Sequence, residues 1–163
     1  MNKIVTPEQA IKIRKKIRTS GKTIVVAGGI FDILHLGHIR FLQKAKKHGD
    51  FLFVLLESDE NAKRKKGNNR PIHTQKYRAF VLSSLEAIDY VITLPEMTKN
   101  SQYDRLINQL APNVIAATKG DRENQHKERQ AEIIGSKVEY VVGRIENQST
   151  TRLEKIIKSE TKV

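Results

Sequence analysis

Short runs of consecutive apolar, mostly β-branched residues alternate along the chain with longer stretches of mixed polarity. The runs occupy 23–27 (TIVVA), 51–57 (FLFVLLE), 90–93 (YVIT), 114–117 (VIAA) and 138–142 (VEYVV). They are apolar on successive positions, the pattern of strands covered on both faces in a parallel sheet. The intervening stretches predict helices over 7–18, 37–48, 74–87, 103–110, 122–134 and 150–159. Strand and helix alternating five times predict a doubly wound α/β fold, with five parallel strands in the order 3-2-1-4-5 and an extra N-terminal helix. The 163 residues make one domain, a helical extension over 1–20 and a Rossmann-like core over 22–160. That length buries roughly two thirds of the unfolded surface around one core.

Several boundaries carry their own chemistry. Thr6, Pro7 and Gln9 supply an N-cap hydroxyl, a proline for the first helical position and a capping-box glutamine. Gly49 and Gly135 stand where helix C-caps belong. Thr74 is an N-cap for the helix that follows, on which Tyr77, Val81 and Leu85, with Phe80 beside them, form an apolar stripe expected to face the core. In a doubly wound sheet the ligand sits beyond the carboxyl ends of the strands, where strand order reverses. The loops after the first and fourth strands, GGIFDILHLGH and TKGDRENQ, are therefore the places to look for chemistry.

Composition narrows the classes. With no cysteine there is no disulfide, thiolate metal site or cysteine nucleophile. The N-terminal MNKIVTPEQA has no apolar signal core, and no apolar run approaches the roughly 18 residues needed to span a bilayer. The chain reads as cytoplasmic. Thirty Lys and Arg against eighteen Asp and Glu leave a net charge of +12, a field that attracts phosphorylated molecules, nucleic acid or anionic surfaces alike.

Gly28 and Gly29 close the first strand, where a missing side chain lets backbone approach a ligand. The helix predicted to follow has free N–H groups and the positive end of its dipole near Gly37 to Arg40, which favours anions. His35 and His38, three apart at its start, can face one side and donate hydrogen bonds to phosphate oxygens. No third ligand nearby points to a metal, and no metal ligands are assigned.

GGIFDILHLGH resembles the G-x-F-D-x-x-H-x-G-H signature of the cytidylyltransferase-like nucleotidyltransferase superfamily. KRKKGNNRPI (63–72) is similar to its K-x-x-R-P-I segment, and RAFVLSSLEAIDYVI (78–92) to its R-x-x-x-L-x-x-L-x-x-V-D-x-V element. RIENQSTTRL (144–153) is similar to its R-x-x-G-x-S-T-T motif. Within the superfamily the chain most resembles the heptose-1-phosphate adenylyltransferases, and next the glycerol-3-phosphate cytidylyltransferases. Adenylyltransferases of coenzyme synthesis would differ only in acceptor. The resemblance implies attack of a phosphomonoester oxygen on the α-phosphorus of a nucleoside triphosphate, ATP before CTP, with release of pyrophosphate. Mg²⁺ is expected with the triphosphate, a phosphorylated small molecule as acceptor, no nucleic acid, and a homodimer.

The roles the resemblance implies are these. His35 and His38 contact the triphosphate and the transition state, and Lys46, preferred over Lys44, reaches a phosphate from the same helix. Gly28, Gly29, Ile30, Phe31 and Lys119 border the nucleotide, with Arg144, Ser149, Thr150 and Thr151 as a second wall. Lys66, Arg70, Arg78 and Asp121 face the substrate. Asp32 has two readings, a substrate hydroxyl ligand or support of its loop, and Lys63 to Lys66 two more, a phosphate-covering loop or a solvated basic run. The sequence departs from the family at Gly28-Gly29-Ile30, where asparagine-glycine-cysteine is common, at Asn147, where glycine is usual, and at a single KGD in place of K-G-G-D. The competing class is an RNA-binding module, since H-x-G-H also occurs in class I aminoacyl-tRNA synthetases. Few aromatics (6%) and no recognisable RNA-binding motif count against it.

Overall fold

The computed structural model describes residues 2–143. The chain runs β1 (Ile4–Val5), α1 (Pro7–Thr19), β2 (Ile24–Gly29), α2 (Leu36–Lys46), β3 (Phe51–Leu56), α3 (Asp59–Lys66), α4 (Gln75–Ser83), β4 (Tyr90–Thr93), α5 (Asn100–Leu110), β5 (Val114–Thr118), α6 (Asn124–Ile134) and β6 (Lys137–Val142). All pairings are parallel, in one six-stranded sheet of order β1-β4-β3-β2-β5-β6. The five expected strands take their expected order. The sixth is a correction: Ile4 and Val5 pair with Val91 and Ile92 at the edge, a strand too short to show any periodicity.

Residues along each strand alternate between two cores, although the runs are uniformly apolar. Val25, Ala27, Leu52, Val54, Leu56 and Val91 join Phe41 and Leu42 of α2 and Ala79 and Leu82 of α4 on one face. Ile24, Val26, Phe53, Leu55 and Ile92 join Ala10 and Ile17 of α1, Leu106, Ile107 and Leu110 of α5 and Ala131 of α6 on the other. This two-sided burial is why the central strands β2, β3 and β4 show no polar face, whereas the edge strand β6 carries Lys137 and Glu139.

The N-cap of α1 forms as its residues dictate: Thr6 and Gln9 exchange side-chain-to-backbone hydrogen bonds across the first turn. Gly135 caps α6 in the left-handed region at φ 66°, which a side chain would disfavour. Two helices depart from expectation. Residues 59–66 are helical, with the Ser58 hydroxyl accepting from Asn61 N–H, acids in the first turn and four cations in the last. That charge order suits the helix dipole, but Ala62 is the helix's sole apolar residue and no stripe announces it. Most of the stripe expected on α4 points the wrong way: Tyr77 is 63%, Phe80 66% and Val81 47% exposed, Leu85 beyond the helix end packs against the core, and the helix itself buries Arg78, Ala79 and Leu82.

Candidate active site

β2 and β5 lie side by side where strand order reverses, and their carboxyl ends carry the loops 30–35 and 119–123. His35 is the N-cap of α2, in extended conformation, and its side chain makes no capping bond. The imidazole is thus not spent on the helix, and the first-turn N–H groups remain available to an anion. His38 stacks on it, with ring centroids 3.8 Å apart and planes 23° from parallel. Nδ1 of each ring is buried and has no hydrogen-bond partner among the described residues. Two unpaired buried ring nitrogens side by side are expensive in a folded protein unless a ligand engages them.

Burial pushes the His38 imidazole down to about 4; the neighbouring His35 and the Lys66 ammonium push the same way, and a hydrogen bond with the Ile33 backbone opposes them. His35 is also lowered, by burial. Both rings are therefore neutral at neutral pH, and the Lys66 charge lies close enough to be felt. A triphosphate placed here would reverse the balance, because negative charge beside an imidazole favours its protonated form.

Phe31 seats the pair from below. It is buried, holds a left-handed φ of 47° and sets its ring edge-on to His38 at 5.2 Å. A Cβ on Gly29 would lie 2.8 Å from that ring, so the glycine is needed to seat Phe31 under His38. A bulky residue held at positive φ is a mark of local strain, which tends to concentrate at functional sites.

Asp32, Arg70 and Arg78, three residues expected near the substrate, spend their polar atoms on hydrogen bonds within the protein that build the site's walls. Asp32 is buried and accepts from Arg70 Nε (2.6 Å), Ile72 N (2.9 Å to each oxygen) and His73 N (2.9 Å), which ties the loop after β2 to residues 70–73. Burial alone would raise its carboxyl, but the His73 and Ile72 N–H groups and the Arg70 charge outweigh that and hold it below the usual range. Of its two readings, support of the loop is the one the contacts match. Arg70 lies buried against it, with a side chain only 8% exposed. Arg78 is 2% exposed and donates to the carbonyls of Ile30, His73 (2.9 Å) and Glu57 (2.9 Å) and to Asp59 (2.7 Å). One guanidinium thus staples the ends of β2 and β3 to the starts of α3 and α4.

Lys46, expected to reach a phosphate, makes its contacts elsewhere. At the last turn of α2, it bonds the Asp89 carboxylate at 2.6 Å and the Asp50 carbonyl, both at the amino ends of strands. It sits at the opposite edge of the sheet from the histidines, because an 11-residue helix carries the chain back across the full strand length.

Lys66, the last residue of α3, is exposed, so the basic run expected as a loop or solvated stretch belongs to a helix. Sequence reasoning missed what holds that helix. Glu57, buried at the end of β3, accepts from Asn61 (2.9 Å), Tyr103 (2.8 Å) and Lys65 (3.0 Å). A carboxylate directly after the apolar run 51–56 was the signal available. Lys119 and Asp121 line a shallow cavity of about 560 Å³ with Gly120, Arg122, Gln125 and Tyr140. Asp121 there pairs with Lys127 at 3.2 Å. Arg144, Ser149, Thr150 and Thr151 lie outside the described residues. No group of three or more His, Asp or Glu side chains suited to a metal occurs among the described residues.

A parallel, doubly wound sheet with a histidine pair and helix N-terminus at its switch point is the architecture in which nucleotide-binding α/β proteins place their ligand. The chain belongs to the cytidylyltransferase-like family, whose pattern it matches over residues 26–161. It is 41% identical to the bifunctional protein HldE of Wolinella succinogenes over 158 residues, 95% of this chain and 31% of that one. To the bifunctional protein HldE of Pseudomonas fluorescens it is 37% identical over 161 residues, 96% and 32% of the two chains. The chain thus spans about a third of the length of the curated relatives it matches. Among solved structures, the lipopolysaccharide core biosynthesis protein of Thermoplasma volcanium superposes with a TM-score of 0.60 at 27% identity, over 79% of this chain and all of that one. The pantoate-beta-alanine ligase of Francisella tularensis shares the fold, with a TM-score of 0.63 at 17% identity over 95% of this chain and 76% of that one. No helix among the described residues is long and apolar enough to cross a membrane.

Proposed function

We propose that the chain is a nucleotidyltransferase that moves AMP from ATP to a sugar phosphate, of which heptose 1-phosphate is the first candidate, and releases pyrophosphate. The observation that carries this reading is the stacked pair of neutral imidazoles with unpaired Nδ1 atoms at the start of α2, beside Lys66. An acceptor phosphate oxygen attacks the α-phosphorus, a new P–O bond forms, and the bond to the bridging oxygen breaks with its electrons leaving on pyrophosphate. His35 holds a non-bridging oxygen through its ring N–H, His38 does so once the triphosphate's charge has drawn a proton onto its second ring nitrogen, and the α2 amides and Lys66 take up the charge that develops as the bond breaks. No step needs a covalent enzyme intermediate.

The nucleoside lies between Gly28 to Phe31 and the Lys119–Asp121 cavity, whose backbone and charged rim suit a base and ribose. Arg144, Ser149, Thr150 and Thr151 are assigned to the triphosphate on motif resemblance. Mg²⁺ fits this scheme as an ion carried in on the triphosphate, since Asp32 is fully engaged and the described residues form no acidic cage. Preference for adenine and for a sugar phosphate is supported by the relatives at 37–41% identity across nearly the whole chain. A homodimer is supported by the outward face of α4, where Tyr77, Phe80 and Val81 expose more apolar surface than solvent favours.

The test is pyrophosphate release from ATP, CTP, GTP and UTP, each paired with heptose 1-phosphate, glycerol 3-phosphate, 4′-phosphopantetheine and FMN. ATP with the sugar phosphate should exceed every other pair; preference for CTP with glycerol 3-phosphate would replace the assignment.

A further inference from the structure

A second concentration of positive charge lies at the other edge of the sheet. A groove of about 480 Å³ opens among the carboxyl ends of α1, α5 and α6 and the amino ends of β2, β5 and β6. Arg14, Arg18, Lys22, His48 and Lys137 line it, and no carboxylate does. Arg14 is partly engaged, with Nε donating to the Leu110 carbonyl at 2.9 Å, and Lys22 is paired with Asp50 at 3.2 Å. The side chains of Arg18, His48 and Lys137 have no hydrogen bond or ion pair among the described residues. The burial of Arg14 and the nearness of Arg18 both lower the Arg14 guanidinium from its usual value, the direction expected of cations crowded without a counter-charge.

Helix carboxyl ends attract cations, which explains one or two of these residues. It does not explain Arg14, Arg18, Lys22 and Lys137 on one concavity with His48 beside them, since α5 and α6 have no basic residue in their last turns and the four cations reach the groove from α1, from the turn after it and from β6. Convergence from separate elements, with three side chains unpaired, is how a small-anion site is built. The volume falls within the roughly 300–1,000 Å³ typical of small-molecule sites.

We propose that this groove is a second anion site, which binds a compact molecule carrying at least two phosphate groups, some 11 residues of α2 away from the histidine pair. Its ligand bridges Arg18 and Lys137, with Arg14 and Lys22 on either side. Free polyphosphate, a nucleotide and a sugar bisphosphate share that chemistry.

The experiment titrates the ¹⁵N-labelled full chain with inorganic tripolyphosphate at about 150 mM salt, where diffuse attraction is screened beyond roughly 8 Å. Saturable shifts are expected at the amides of Thr23, Asn113, Gly135 and Lys137. In the Arg18→Glu/Lys137→Glu variant those shifts should need at least tenfold more ligand, while nucleotidyl transfer and the unfolding temperature stay as in the wild type. Parallel titrations with ATP and fructose 1,6-bisphosphate rank the sources. Absence of shifts at these amides in the wild type, or equal affinity in the variant, would overturn the proposal. So would affinity that keeps rising with polyphosphate length or for a 20-nucleotide RNA, with shifts spread along Lys12, Lys15 and Lys16, because that pattern belongs to a nucleic-acid surface.

Discussion

At the scale of single residues, His38 links stability, pH and binding. Its folded value of about 4 lies below the 6.5 of an unfolded histidine, so between those values the unfolded chain binds more protons. The contribution of neutral His38 is complete above about pH 6.5 and is lost as pH falls toward about 4. Urea unfolding of wild type and His38→Gln should show a gap that narrows over that window; a gap that widens on acidification would reverse the assignment. Adding triphosphate should move the His38 resonance to a higher titration midpoint, because the anion stabilises imidazolium. Arg78 is expected to be structural: Arg78→Met leaves Asp59 and three carbonyls without their donor and should cost about 3–5 kcal/mol in urea unfolding. Lys46→Met should retain turnover within about twofold, since its partners lie at the amino edge.

At the scale of elements, α3 joins structure to chemistry. Its N-cap, Ser58, accepts from Asn61, and its last residue, Lys66, lies near enough for its charge to be felt at His38. Ser58→Ala should cost about 1 kcal/mol and raise KM for the triphosphate more than it lowers kcat, measured by steady-state pyrophosphate release. What could be read beforehand follows from periodicity. Uniform apolar runs announced the parallel strands, and Thr6, Pro7 and Gln9 announced α1, because each signal is local and has one structural solution. α3 was hidden because it packs through Glu57, Asn61 and Tyr103 rather than through an apolar stripe. On α4 the apolar stripe misled: burial went to Arg78, whose four bonds tie three connections together while Tyr77 and Phe80 are left in water. The same blindness applied at the site, where motif position could place Asp32, Arg70 and Lys46 near a ligand but not report that their polar atoms bond the protein itself.

At the scale of the whole molecule, the sheet separates two charged regions. The carboxyl edge carries the histidine pair with Lys66, and the amino edge carries the groove of Arg14, Arg18 and Lys137. Between them they use only part of a net charge of +12. The outward face of α4 lies on the flank between these edges, and its apolar residues are expected to be covered by a second copy. Phe80→Asp should convert a dimer to a monomer in sedimentation velocity, with turnover per chain changed little; a wild type that sediments as a monomer at all concentrations would remove the dimer from the account.

In the proposed reaction the role of His35 and His38 is to hold the transferred phosphate of a nucleotidyl transfer. It is tested most directly by single-turnover pyrophosphate release from ATP and a sugar 1-phosphate, comparing wild type with His38→Ala at equal folded fraction. Loss of one such stabilising donor should slow the step by about 10²–10³-fold. A variant that releases pyrophosphate at the wild-type rate would contradict the account.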